Sequence, residues 1–214
     1  MRRFVLIWNT ELWLMPSERQ HLTALEVTHS LTQPEINTIV STIGTETILN
    51  ITDFTFSHRA RLVKPLISYD GQALALSFLP AAGEGLSPSS SSSSSSSRTQ
   101  EDDVFTYHHL RKHLFDLANA KFSINSRYVV PSSHITIGRF LTQEDHDSRE
   151  KMEAFLDKVE AVNEWLQKEH WYRDGEEERD EMKEWVVGEE KGLDCRVGRL
   201  WYGGGETVKI GKGF

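Results

Sequence analysis

The chain has a single cysteine, no long apolar run and no surplus of basic residues, and each shortage excludes a class of protein. Cys195 alone cannot form an intramolecular disulfide framework or a multi-cysteine zinc site. The start of the chain has only five consecutive apolar residues, Phe4 to Trp8, which is too short for a membrane span or a secretory signal. We therefore expect a soluble intracellular protein, cytoplasmic or nuclear, with no membrane partner.

Basic residues are also scarce where binding to long nucleic acid would need them. The 214 residues include 24 Lys and Arg against 32 Asp and Glu, a net charge of −8. Residues 141–190 hold 18 of the acidic and 7 of the basic residues, which leaves 14 acidic and 17 basic residues elsewhere. Non-specific binding to long nucleic acid requires a basic surface that neutralises many phosphates. The charge still allows a small phosphorylated substrate or an RNA terminus, and we expect a monomer.

A run of serines is the clearest break in the chain. The segment SPSSSSSSSSSRTQEDD begins at Ser87 and offers no apolar surface to offset the entropy lost on ordering. We predict a disordered insertion at about 84–101 within a single domain, 1–214. The insertion separates a first part, about 1–80, from a second part, about 102–214.

The two parts carry the same features in the same order. Each has an apolar segment, a proline, a His-x-Thr triplet, Leu-Thr-Gln and then a helical pattern. The triplets are His21–Thr23 and His134–Thr136, and we predict a strand at each. Because residues two apart on a strand share a face, each histidine should lie beside its threonine. We interpret the order as an internal duplication: an α+β fold of two similar lobes of antiparallel sheet and helices, with pseudo-twofold symmetry around a central cleft.

Capping signals predict where the helices begin. Thr32 with Glu35, and Thr142 with Asp145, have the spacing of a capping box. A helix is predicted after each, and Gly44 is placed to end the first.

Other elements follow from local patterns. Two strands should meet at Asp70–Gly71, a helix should occupy 102–121, and a terminal hairpin at 193–214 should turn at Gly203–Gly205. The charged segment 168–192 is predicted to be a solvated helix with a loop.

With their flanks, the two triplets resemble the motifs of the two-histidine (2H) phosphoesterase superfamily, which includes RNA ligase-like proteins and cyclic nucleotide phosphodiesterases. WLMPSERQHLTALEV is similar to the first family motif and YVVPSSHITIGRF to the second, and their wording is similar to that of fungal members. The resemblance implies a metal-independent phosphodiesterase without a cofactor that opens a 2′,3′-cyclic phosphate on a nucleotide or RNA end. It further implies that His21 and His134 are the acid–base pair and that Thr23 and Thr136 bind the phosphate.

These residue types suit that reaction. Two imidazoles that titrate near neutral pH can supply one base and one acid without a metal, and hydroxyls can hydrogen-bond the phosphate oxygens. The sequence leaves open which histidine is the base. Family members usually have a strand and a helix before the first motif, whereas about a dozen residues precede Trp13 here. A reduced lobe or a chain that begins late would explain this, and the alternative function is a non-catalytic binder of phosphorylated nucleotides or RNA ends.

Three further residues near the motifs have two interpretations each. Arg139 lies three residues after Thr136, so it should face away from the site unless the strand bulges, and a surface role is favoured. Trp13 and Tyr128 precede the motifs and either stack on a base or ribose or belong to the core.

Two other patterns suggest different sites. His109 and His113 have the i, i+4 spacing of metal ligands on a helix, but no third ligand is evident nearby and a solvated helix face is favoured. The segment GGGETVKIGKG fails the spacing of a phosphate-binding loop and fits a hairpin turn. The acidic stretch 141–190 is either a partner-binding helix or an amphipathic helix that covers the sheet.

Overall fold

The computed structural model describes most of the chain, namely residues 11–82, 104–127, 130, 132–173, 183–200 and 203–214. Three features predicted from the sequence lie outside the described residues. They are the apolar start at Phe4–Trp8, the serine insertion at 84–101, and Tyr128. Each of them stays a prediction.

The centre of the protein is a five-stranded antiparallel sheet that curls into half a barrel. Its strands are β1 (Leu12–Leu14), β2 (Arg61–Tyr69), β3 (Ala73–Pro80), β4 (Ser133–Phe140) and β5 (Glu184–Val186). They pair in the order β1-β4-β3-β2-β5, so strands from both sides of the serine insertion are interleaved in one sheet. A second sheet pairs two strands, β6 (Asp194–Val197) and β7 (Glu206–Ile210).

Both predicted hairpins are confirmed. Strands β2 and β3 meet at a turn in which the Asp70 side chain accepts hydrogen bonds from the backbone N–H groups of Gln72, at 2.7 Å, and Ala73, at 2.9 Å. Such a side-chain bond replaces the ladder bonds that a turn cannot make. Strands β6 and β7 form the terminal hairpin.

Four α-helices accompany the sheets in the part of the chain that the structure describes. They are α1 (Gln33–Ile43), α2 (Thr45–Thr52), α3 (Tyr107–Asn119) and α4 (Arg149–His170). Helices mixed with antiparallel sheet confirm the α+β class. The helix predicted at 102–121 is α3, whereas α2 was not predicted.

The first capping box forms as its spacing predicts. The backbone N–H of Thr32 donates to the Glu35 carboxylate at 2.7 Å, and the Thr32 side chain accepts from the third residue of α1. Gly44 ends α1 with a φ of 79°, a conformation that glycine adopts at little cost. Both bounds of α1 are therefore set by local sequence.

The prediction of a second capping box, at Thr142 and Asp145, is wrong. The α-helix does not begin at Thr142 with Asp145 but at Arg149, and Ser148 caps it by accepting from the backbone N–H of Lys151 at 3.3 Å. Between them a short 3-10 helix, Glu144–His146, turns the chain. His146 packs edge-on between Phe140 and Phe155, so a tertiary contact overrides the local signal.

Both long helices pack on the same face of the sheet. Helix α3 buries Leu110 and Leu114 against Leu62 of β2, and α4 buries Phe155 and Val159 against Leu74 of β3. Leu62 of β2 pairs with Pro80 of β3, and Leu74 of β3 pairs with Tyr69 of β2. Leu74 and Pro80 are an even number of residues apart on β3, so their side chains and those of their partners lie on the same face of the sheet. The other face of the sheet is not covered by these two helices.

The charged segment 168–192 departs from the prediction of a solvated helix with a loop in one described part: the long helix α4 continues to His170, but Glu184–Val186 form strand β5 of the sheet. Glu184 of β5 accepts a hydrogen bond from Arg61 Nε at 2.6 Å. The Arg61 and Glu184 side chains are only 3% and 1% exposed. Since β5 extends the sheet next to β2, this glutamate lies inside the protein rather than in solvent.

Candidate functional site

The second motif lies on β4 and faces away from the helices. Ile135 pairs with Leu76, which in turn pairs with Ile67, and Ile67 packs against the core under α4. Because side chains alternate along a strand, His134 and Thr136 project from the opposite face. Their partners on the neighbouring strand β3 are Ser77, across from His134, and Ala75, across from Thr136. The predicted strand at His134 is therefore confirmed.

The first motif reaches the same face through a single bridge. Leu22 forms an isolated antiparallel bridge with Ile135, the central residue of the second motif. His21–Thr23 is thus not the full strand that we predicted, because Pro16 and the 3-10 helix Ser17–Arg19 interrupt the pairing that begins with β1. The Leu22 side chain packs against the core that α3 covers, which directs its neighbours His21 and Thr23 to the uncovered face.

The bridge pairs the two motifs in opposite chain directions. Antiparallel pairing about Leu22 and Ile135 places His21 across from Thr136 and Thr23 across from His134. The two histidines occupy a diagonal, where side chains are separated by about 7–8 Å. All four predicted site residues therefore gather on one face of the sheet. The charge on His21 is one of the influences on the pKa of His134, as the short separation requires.

Local hydrogen bonds hold one nitrogen of each imidazole. His21 Nδ1 lies 2.8 Å from the backbone carbonyl of Arg19, so this nitrogen carries the proton and donates. His134 Nδ1 lies 3.0 Å from the Ser132 hydroxyl, which can donate or accept. With Nδ1 of His21 used in this way, Nε2 is the nitrogen that can exchange a proton with a ligand.

The environment of His134 favours its neutral form. Burial lowers the pKa of this imidazole, and the positive charges of Arg111 and His21 lower it further. The carboxylate of Asp70 acts in the opposite direction with a smaller effect. A histidine that is neutral near pH 7 can accept a proton, which is the property of a general base.

A bulge in β4 brings Arg139 and Trp13 to the site face, contrary to our expectation for Arg139. Leu74 pairs with Gly138 but Ala75 pairs with Thr136, so Ile137 is an extra residue on β4. This extra residue shifts the alternation of side chains along β4 by one position, so the Arg139 side chain lies on the same face as that of Thr136. Trp13 of β1 lies directly across from Arg139. The Arg139 guanidinium and the Trp13 indole therefore lie on the same sheet face as His134, farther along β4 and on the adjacent β1.

Sequence reasoning missed Arg111 of α3. Its Nη1 donates to the backbone carbonyl of Ser132 at 3.3 Å, next to the second motif. The signal was present, because Arg111 follows Tyr107 by four residues and precedes Leu114 by three on the apolar stripe of the helix. A charged residue on the buried stripe of a helix needs a specific polar partner.

The segments that flank the two motifs are joined by an ion pair. The Glu26 carboxylate accepts from Arg127 Nη2 at 2.6 Å and from the Arg127 backbone N–H at 2.7 Å. A backbone bond from Asn125 to Val27, at 3.0 Å, lies beside it. These contacts tie the chain that leaves the first motif to the chain that approaches the second.

Replacing Glu26 with glutamine is expected to lower the free energy of unfolding at pH 7 by about 1 kcal/mol. Burial raises the pKa of Glu26, but the hydrogen bonds and charge of Arg127 outweigh it, so the pKa lies below 4.5. A lowered folded-state pKa stabilises the protein above about pH 4.5, and this contribution disappears as the pH falls through the folded value. Urea unfolding of both proteins from pH 3 to 7 measures it, and an equal difference at both ends would contradict the prediction.

The two histidines with metal-ligand spacing have other contacts. His109 Nδ1 lies 3.1 Å from the backbone N–H of Thr106 and caps α3, and His113 stacks on Phe54. Within the described ranges, no group of three or more His, Cys, Asp or Glu side chains is arranged to hold a metal ion.

The glycine-rich hairpin supports the first motif. Gly203 has a φ of 72° and packs so closely on Arg19 that a Cβ there would lie 2.6 Å from the Arg19 carbonyl oxygen. That carbonyl is the acceptor for His21 Nδ1. Glycine at this turn therefore preserves the position of the His21 partner.

Two hollows of the described structure lie away from the motifs. One, of about 340 Å³, lies between α1, α2 and β7. The other, of about 430 Å³, lies between α2 and α3. Neither is lined by a motif residue.

Comparisons with known proteins give no relative. No family model matches the chain, and no curated protein or solved structure matches it significantly. The resemblance to two-histidine phosphoesterases therefore rests on the sequence of the two motifs. No helix among the described residues is long and apolar enough to cross a membrane.

Proposed function

We propose that this protein is a metal-independent cyclic phosphodiesterase that opens a 2′,3′-cyclic phosphate on a nucleotide or RNA end. The observation that carries the proposal is the bridge between Leu22 and Ile135, which brings His21, Thr23, His134 and Thr136 onto one sheet face. A coincidental pair of His-x-Thr triplets has no reason to pair through their central residues.

In the proposed reaction, His134 acts as the base and His21 as the acid. Neutral His134 takes a proton from water while the water oxygen forms a bond to phosphorus. The bond from phosphorus to the 2′ or 3′ oxygen breaks, and protonated His21 gives its Nε2 proton to that leaving oxygen. The product is a phosphate monoester. His134 then releases its extra proton to solvent and His21 takes one up, which restores both histidines. The lowered pKa of His134 supports this assignment of roles.

Thr23 and Thr136 supply hydroxyl donors to the non-bridging oxygens, where negative charge grows in the transition state. Arg139 and Trp13 extend the same face and suit the sugar–phosphate and base next to the reacting group. The uncovered sheet face would form one wall of the cleft between two lobes. Each histidine lies across from the threonine of the other motif about the Leu22–Ile135 bridge, and this pairing supports the proposed pseudo-twofold cleft.

The test is hydrolysis of the four 2′,3′-cyclic nucleotides and of a short RNA with a 2′,3′-cyclic end, all in EDTA. We expect turnover that chelation does not reduce, with a monoester as the product. Isothermal titration calorimetry with the corresponding monoesters tests the alternative of a non-catalytic binder. Binding by a folded protein without turnover of any substrate would replace the catalytic proposal with that alternative.

A further inference from the structure

Helix α3 contacts the backbone of both motifs at positions one helical turn apart. The Tyr107 hydroxyl donates to the carbonyl of Thr23, in the first motif, at 3.1 Å. Arg111 donates to the carbonyl of Ser132, at the start of the second motif, at 3.3 Å. Because residues four apart lie on the same side of a helix, one rigid surface reaches both segments.

The first motif has little regular secondary structure of its own. From Thr23 to His29 the chain has no regular secondary structure, and Leu22 makes only a single bridge. Tyr107 is fully buried, so its bond to the Thr23 carbonyl is not in competition with water. Burial raises the pKa of Tyr107 to about 12, which keeps the hydroxyl a neutral donor at all ordinary pH values.

On the second motif the contact is relayed to the imidazole. Ser132 accepts from Arg111 through its carbonyl, and its hydroxyl lies 3.0 Å from His134 Nδ1. The ring orientation of His134 thus depends on where Arg111 holds Ser132. Arg111 also interacts with the Tyr107 hydroxyl, which joins the two contacts into one unit.

We propose that Tyr107 and Arg111 are positioning residues that hold the two motifs at a fixed distance, so that His21 and His134 face one phosphate. The inference rests on the proposed function for its activity test and goes beyond it in assigning these roles to α3. Neither residue needs to touch the substrate. A misplacement of about 1 Å at a reacting group can cost about 10²-fold in rate, so support at this level has a measurable effect.

Tyr107→Phe removes the hydroxyl and keeps the buried ring, and Arg111→Gln removes the charge and the fork of donors. We expect each to lower kcat by about tenfold or more on a 2′,3′-cyclic nucleotide, with a smaller change in KM. Thermal unfolding of each variant establishes that it is folded. Wild-type kcat in either folded variant would overturn the proposal.

A second measurement needs no activity. Three charges bear on His134: Arg111 from α3, His21 from the first motif and Asp70 from the β2–β3 turn. Loss of the Arg111 charge favours the protonated imidazole, so NMR titration of His134 in Arg111→Gln should give a higher midpoint than in the wild type. Arg111→Lys keeps the charge and should retain the wild-type midpoint. Lys112→Gln, on the exposed side of the same helix, is the matched control for loss of a charge.

The two measurements separate the two claims. If the wild type turns over no substrate but the His134 midpoint rises in Arg111→Gln alone, the phosphodiesterase proposal fails and the contact of Arg111 with the second motif stands. If the midpoint is unchanged in Arg111→Gln, or rises equally in Lys112→Gln, Arg111 does not position His134 and the inference is overturned.

Discussion

Replacing either His21 or His134 with alanine is expected to lower kcat/KM on a 2′,3′-cyclic nucleotide by about 10²-fold or more. General acid or base catalysis by one side chain contributes typically about 10²–10⁴-fold. The double variant should be about as slow as the slower single variant, because two groups that act in one step lose their effect together. Initial rates in EDTA measure all three.

His29→Ala is the matched control. His29 lies eight residues after His21, and its Nδ1 lies 3.0 Å from the neighbouring Ser30 hydroxyl. We expect its kcat/KM to stay within about twofold of the wild type. Equal losses in His29→Ala and His21→Ala would show that the effect is not specific to the motif.

The pH profile distinguishes the two roles. His134 has a lowered pKa, so the limb at which the base loses its proton should lie at lower pH than for an ordinary histidine. In His21→Ala a neighbouring positive charge is lost, and NMR titration of His134 should show a higher midpoint. An unchanged midpoint would mean that the two imidazoles are too far apart to share a phosphate.

Glu184→Ala is expected to lower the free energy of unfolding by about 3–5 kcal/mol. The change leaves the Arg61 guanidinium, with a side chain only 3% exposed, without its carboxylate partner in the protein interior. Removing one member of a buried ion pair typically costs that much, because the remaining charge was removed from water on folding. Urea unfolding at pH 7 measures the difference.

Two variants make this prediction specific. Glu153→Ala removes the same side chain from an exposed pair with Arg149, in which the side chains are 57% and 85% exposed, and should have no measurable effect. Replacing Arg61 with methionine and Glu184 with leucine together should recover most of the stability, since an apolar pair needs no charge compensation. If Glu184→Ala is as mild as Glu153→Ala, the pair does not stabilise the fold.

Elements with local signals were predictable from the sequence. The capping box of Thr32 and Glu35, the stop at Gly44 and the turn at Asp70 each depend on residues within a few positions of one another. The four motif residues were found in the same way, because a repeated order of short features identified them. The duplication also predicted that they line one cleft, whereas the bridge between Leu22 and Ile135 could not be read from the sequence.

Features that depend on distant partners were not predictable. Glu184 resembles a solvated residue until its partner Arg61, 123 positions away, is known. The helix is capped by Ser148 rather than by the predicted Thr142, because His146 packs edge-on between the rings of Phe140 and Phe155. Arg139 changes faces because of a single extra residue, Ile137, whose position is defined only by the register against β3.

The strand order also determines when the site can form during synthesis. Strands β2 and β3 are adjacent in sequence and can pair as soon as both have been made. Among the described strands, the partner of β1 is β4, which is made more than a hundred residues later, and Leu22 meets Ile135 on that same strand. A nascent chain that ends before β4 therefore has both a first motif without its bridge and an open edge on β3. Such an edge is a known starting point for aggregation, so arrival of β4 both completes the site and closes the sheet.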